Sequence, residues 1–190
     1  MLCFVLYGEE IFMYCCDLQL YFVGNEHQIF EHLKKIAPLK HFKHEFAQSD
    51  KPEKLLTAVS DIIFADISDN NAANTIKSLA LWKKPEAELI VFADKSQIEE
   101  LCDFDSEITD IWVLPMSYRE LSFRFERWQK LFKDRVDFWQ ASHFLEATIN
   151  SVPNLIWYKD KNGIHEKVND SFCKVVGKSK SQVEGKGHAY

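Results

Sequence analysis

Few side chains in this 190-residue sequence have the type and spacing to do chemistry. One acid closes an apolar run where chemistry could sit: Asp66 follows DIIFA. In open α/β sheets the functional edge lies at the carboxyl ends of the strands, which is where such an acid would stand. His41 and His44 are three apart on a segment, residues 40–47, that alternates like a strand. Strand positions three apart face opposite sides, so the two share no ion and read as solvated surface. None of the seven histidines has an i, i+4 histidine partner near a carboxylate, and no metal site is predicted. The five cysteines (Cys3, Cys15, Cys16, Cys102, Cys173) are odd in number, irregular in spacing and free of any C-x-x-C. They argue for free thiols in a reducing compartment. No glycine-rich phosphate loop is visible, nor a Ser-His-Asp or Cys-His pattern with local context. No catalytic residue is therefore predicted.

The elements that must position Asp66 follow from periodicity. LQLYFVG (18–24) is an apolar run ending in glycine. Ile29, Phe30, Leu33 and Ile36 then recur at helical spacing until Pro38. After the alternating strand 40–47, Asp50 caps a helix with Pro52 in its first turn. Apolar strands at 61–68, 87–94 and 108–115 alternate with helical stretches at NNAANTIKSLALWKK and SQIEELCDF. Continuous apolar strands between helices predict a parallel sheet covered on both faces. The fold class expected is α/β, a doubly wound five-stranded parallel sheet.

From Ser117 to about Asn150 there is neither Gly nor Pro, which predicts one long helix. Leu121, Phe125, Trp128, Phe132 and Trp139 are spaced by three, four and seven along it. That spacing fits a heptad seam pairing two chains, or the covering helix of the domain's own sheet. The helix breaks at Ser151-Val152-Pro153. A strand, a turn at Lys161-Asn162-Gly163, a second strand and two short helices follow. The apolar start, residues 1–16, lacks a basic n-region and is interrupted by Gly8, Glu9 and Glu10. It reads as an extension packed on the domain, with no targeting or membrane segment, so a cytoplasmic protein is expected. A net charge of −6 and no Lys/Arg run argue against a nucleic-acid partner.

On DIIFADIS and the pattern around it, residues 17–131 resemble the receiver domain of response regulators. Asp66 stands where the phosphate-accepting Asp normally stands. Leu114-Pro115 resembles the Lys-Pro that ends a receiver's fifth strand. The resemblance implies an acidic pair for a divalent metal after the first strand. Gly24 and Asn25 occupy that place, and Glu26 matches the residue after the pair. The hydroxyl position of the fourth strand is Ala93, and the Lys of the fifth is Leu114. Phosphoryl transfer depends on metal and cations to neutralise the moving group, and Mg²⁺ is held weakly by so few carboxylates. The expectation is a degenerate, non-catalytic receiver with Asp66 as a vestigial phosphoacceptor. The alternatives are a working phosphorelay receiver that accepts phosphate on Asp66, and a domain that binds a small ligand at the sheet's switch point.

Residues 144–190 resemble the start of a PAS domain: a lead-in helix, Pro153, a strand over 155–159, the turn from Asp160 to Gly163, then Val168-Asn169, Phe172-Cys173 and Gly177. The resemblance implies later strands that these residues do not include. It therefore implies no cofactor and an easily opened hairpin. Cys173 reads as a core cysteine, since the motif of light-sensing PAS domains is absent. His188 would approach a ligand in a complete domain. The organisation expected is an extension (1–16), a receiver-like domain (17–131), a connector helix (132–150) and a partial α+β PAS segment (151–190). Receiver–PAS front ends of this kind resemble those of bacterial GGDEF diguanylate cyclases and of sensor histidine kinases. The partners implied are a second copy through the connector helix and other signalling proteins.

Overall fold

The computed structural model describes residues 5–7, 10–12, 16–24, 27–40, 42–50, 60–67 and 72–187, and of residues 5–7, 10–12, 16 and 27 the backbone alone. The expected Asp50-capped helix, Asn25, Glu26, His41 and His188 lie outside the described residues. Two compact units divide the chain, Met1–Lys133 and Asp134–Tyr190.

In the first unit, β1 (Val5–Tyr7) and β2 (Glu10–Phe12) pair antiparallel. Then come β3 (Cys16–Val23), α1 (His27–Lys35), β4 (Phe42–Ser49), β5 (Ile62–Asp66), α2 (Ala72–Trp82), β6 (Glu88–Asp94), α3 (Ile98–Leu101) and β7 (Asp110–Leu114). The 34-residue α4 (Tyr118–Ser151) begins here. Strands β4-β3-β5-β6-β7 form one sheet in that order, all parallel. Numbered from the sheet's own first strand the order is 2-1-3-4-5, the doubly wound arrangement of receiver and flavodoxin-like folds.

The central strands are apolar from Ile62 to Ala65 in β5 and from Leu89 to Ala93 in β6 because both of their faces are covered. Ile62, Ile63, Ala65 and every residue from Leu89 to Ala93 are fully buried. The edge strand β4 alternates, with Phe42 inside and Lys43, Glu45 and Ala47 exposed. Each sheet face carries its own core. On one, Phe22, Phe64, Phe92 and Trp112 meet α1 through Phe30 and Leu33, and α4 through Leu121, Phe125 and Trp128. On the other, smaller aliphatic side chains from β3, β5 and β6 meet Ile76 and Leu79 of α2 and Leu101.

This corrects the pairing seam read from the sequence. Leu121, Phe125 and Trp128 are 3%, 0% and 7% exposed, and Phe132 packs beside them. They seal the unit's own sheet, so they are closed to a second chain. His44 is corrected as well. It is half-buried on β4 against Phe46 and Phe125, not solvated. Its Nε2–H donates to Gln129 Oε1 (3.0 Å), which also accepts from the Leu39 amide (2.8 Å). Burial holds the His44 imidazole below its ordinary value, and the Gln129 hydrogen bond opposes that only in part. A second polar bond on this helix joins the Trp128 indole N–H to the buried Glu88 carboxylate.

In the second unit, β8 (Trp157–Lys159) and β9 (His165–Val168) form an antiparallel hairpin, followed by α5 (Asp170–Val176) and α6 (Lys180–Val183). Asp160 accepts the Asn162 and Ile164 amides at the turn. The Ile164 bond does most to hold its carboxyl below the usual value. Asn169, fully buried, joins everything nearby. Its Oδ1 accepts the Ile156 and Phe172 amides, each at 3.0 Å. Its Nδ2 faces the carbonyls of Ile149, Val152 and Asn154 at 3.0, 3.2 and 2.8 Å. Lys180 reaches Glu146 at 2.7 Å and Asp170 at 3.2 Å. Burial opposes its charge, but the Glu146 and Asp170 bonds prevail and hold the ammonium above its ordinary value. Cys173 is half-buried, and burial pushes its thiol up. Val168 is covered, while Leu155 and Trp157 remain 42% and 52% exposed. Among the described residues, no helix is long and apolar enough to cross a membrane.

Candidate functional site

Register gathers the predicted positions at the carboxyl edge of the sheet. Val23 pairs with Ala65, Asp66 with Phe92, and Asp94 with Leu114. Gly24 and Asp66 therefore leave neighbouring strands side by side, although they are far apart in sequence. The Gly24 amide donates to the Ser49 carbonyl (3.1 Å), and its own carbonyl accepts from Gln48 Nε2 (3.3 Å). The chain is pinned there at φ 136°, a conformation that favours glycine. A Cβ at position 24 would lie 2.7 Å from the Asp66 Cβ. Two independent constraints, torsion and contact, thus bar any side chain at 24, an acid included.

Ala93 is fully buried and packs in the aliphatic cluster. Its methyl side chain has no hydroxyl to offer a ligand. Leu114, joined to Pro115 by a cis peptide bond, lines a cleft of about 280 Å³ with Pro115, Met116, Gln28, Ile29, His32 and Asp94. Asp66 is not among the residues that line it. The edge thus brings Gly24 to Asp66 and Asp94 to Leu114, and places Ala93 beneath them. Among the described residues no group of three His, Cys, Asp or Glu could hold a metal ion.

Gln97 is a residue that sequence reasoning passed over. Its Oε1 accepts the Asp94 amide (2.9 Å), and its Nε2 donates to the Ile67 carbonyl (2.8 Å). One side chain thus ties the exit of β6 to the residue after Asp66. The available signal was the Asp94-x-x-Gln97 spacing, a capping box on the short 3-10 turn after β6. In the second unit, a recess of about 310 Å³ is lined by His165, Phe172, Val176, Lys178, Gln182 and Val183, with neighbours. His165 is buried and its ring meets Phe172.

The chain matches no protein-family model and no curated protein sequence. Solved structures similar to it include a putative CpaE2 pilus assembly protein from Sinorhizobium meliloti 1021, at 15% identity and TM-score 0.46 over 58% of this chain and 98% of that one. Another is the BeF3-activated DrrB receiver domain, at 14% identity and TM-score 0.47 over 60% and 99%. A third is a response regulator receiver domain protein from Clostridium thermocellum, at 10% identity and TM-score 0.47 over 61% and 97%. Identities this low say nothing of activity. The fold class rests on the strand order and register given above.

Proposed function

We propose that the chain is a non-catalytic input module of signal transduction. Residues 17–131 act as a pseudo-receiver, 132–150 as a connector helix, and 151–190 as the first part of a PAS sensor. The module regulates an output domain such as a GGDEF diguanylate cyclase, and works as a homodimer with other signalling proteins as partners. The observation that carries this reading is the contact of Gly24 with Asp66. A metal held for phosphoryl transfer needs several oxygen ligands close to the acceptor. Position 24 cannot supply one without moving the backbone that Ser49 and Gln48 hold. Ala93 and Leu114 add neither hydroxyl nor cation where the phosphoryl group would lie. Asp66 is then a vestigial acceptor, and the α/β unit is a platform for protein contacts.

The test is incubation of the whole chain with acetyl phosphate and Mg²⁺, read by intact mass. No mass change is expected. A gain of one phosphoryl group that Asp66→Asn removes would overturn the reading in favour of a working phosphorelay receiver. Gly24→Asp should not create acceptance, and it should destabilise the chain by about 1–3 kcal/mol, as strained backbone positions do.

A further inference from the structure

The five-stranded sheet ends on β4 at one edge and on β7 at the other. The two edges differ. β7 has five residues, while β4 runs for eight, without proline and in unbroken register with β3 from Phe42 to Ser49. Native edges are commonly blunted by short strands, bulges or proline, because an open ladder is a template for another strand. Among the described residues no strand pairs with the outer side of β4.

The hydrogen bonds at the ends of β4 show which backbone groups face outward. The Gly24 amide, just past β3, donates to the Ser49 carbonyl, so Ser49 points toward β3. Backbone groups alternate along a strand. Ala47, Glu45 and Lys43 therefore point toward β3 as well, and Gln48, Phe46, His44 and Phe42 point outward. The Phe42 amide agrees, since it bonds the Leu39 carbonyl and not β3. The side chains of Lys43, Glu45 and Ala47 share one exposed face of the sheet. There Lys43 lies 3.9 Å from Asp17, and the Gln19 amide donates to Glu45.

We propose that the outer edge of β4 pairs antiparallel with β4 of a second copy, about a two-fold axis at His44. Two five-stranded sheets then join into one. This rests on the homodimer reading above and gives it an interface in the α/β unit. Two requirements select the register. Outward residues must meet outward residues, so the axis passes through a residue and not between two. Side chains on the exposed face must also not repel. An axis at Lys43 or at Glu45 sets a charge against itself. An axis at Phe46 sets Glu45 against Ala47 and Lys43 against Ser49. The axis at His44 sets Lys43 against Glu45 of the second copy, and symmetry repeats the pair. These are non-hydrogen-bonded pairs, in which side chains approach closest. Across the joined sheet the row reads Asp17, Lys43, then Glu45 and Gln19 of the second copy, with opposite charges adjacent. On the other face Phe42 meets Phe46, an aromatic pair. His44 meets itself, and burial favours its neutral form, so no like charges oppose there. Each copy has one such edge, so association stops at two.

Sedimentation of the whole chain at neutral pH tests the pairing. The wild type should self-associate at about 10–100 μM, the weak range of a small interface. Lys43→Glu and Glu45→Lys each create two like-charged pairs, and each should weaken association at least ~tenfold. An equimolar mixture of the two variants restores opposite charges and should regain it. Both side chains are exposed, so urea midpoints at low concentration should move no more than surface substitutions do. A second measurement needs no charge reversal. A mixture of Lys43→Cys and Glu45→Cys chains under mild oxidation should form a disulfide heterodimer, because such pairs hold their Cα atoms about 4.5 Å apart. Neither chain alone should exceed the wild-type level. A monomeric wild type overturns this pairing and the homodimer reading together. A dimer that both charge variants leave intact, or that their mixture fails to restore, overturns the edge pairing alone. So does a dimer without the mixed disulfide.

Discussion

The two halves of α4 carry similar apolar side chains and meet opposite fates. Up to Phe132, the aromatic face lies on the sheet, with Phe125 stacked on Trp128 and Trp128 on Phe132. One buried amide, Gln129, ties that half to Leu39 and His44. Beyond it Phe138, Trp139, Phe144 and Leu145 are more than half exposed. Near the end of that half, Asn169 faces the Ile149 carbonyl and Lys180 reaches Glu146. Apolar content alone does not bury a helix. The outcome depends on whether a sheet face of matching shape lies opposite.

Truncation should separate the two halves sharply. Phe125→Ala should cost about 3–5 kcal/mol, since it removes a fully buried ring from the core. Phe138→Ala should change monomer stability by about 0.5 kcal/mol or less. Urea denaturation at low protein concentration reads both, and equal costs would erase the contrast.

The two amides give the next largest effects. Asn169→Ala leaves buried amides and carbonyls of three segments without their partner. A loss of about 1–3 kcal/mol is expected. Hydrogen exchange should show it as faster opening from Asp160 through Gly187, while the amides of Ile63 and Val91 stay protected. In the unaltered chain the same order of opening is expected with a smaller gap. Gln129→Leu should also cost about 1–2 kcal/mol, this time lowering the protection of Leu39 and β4.

The smallest effect is a pH dependence confined to the first half. Burial depresses the His44 pKa below its ordinary value of 6.5. The unfolded chain then takes up the proton first as pH falls. The stability linked to His44 is present above the ordinary value and lost as pH drops from there toward the lower folded value. The urea midpoint should fall between about pH 7.5 and about pH 5, and His44→Gln should flatten part of that slope. An unchanged slope would mean that His44 titrates as if in water.

Much of the first unit can be read from the sequence alone. Runs such as IIFA and LIVFA have no polar face, and only a strand covered on both sides tolerates that, so the parallel sheet and its helices follow from period and composition. The length of α4 follows from the absence of Gly and Pro between Ser117 and Ser151. Local spacing also foretells the hairpin and the turn at Asp160.

What the tertiary structure decided is which of several equally periodic choices is taken. The stripe on α4 from Leu121 to Phe132 has coiled-coil spacing, and only the position of the sheet turns it inward. Gly24 reads in sequence as a missing acid. The approach of Asp66 from a neighbouring strand shows that a side chain there is sterically barred. His44 looks solvated on an alternating strand until α4 lays Phe125 and Gln129 over it. In each case local pattern sets the secondary structure. The contact that gives the residue its role comes from a segment distant in sequence, and only packing brings that segment within reach.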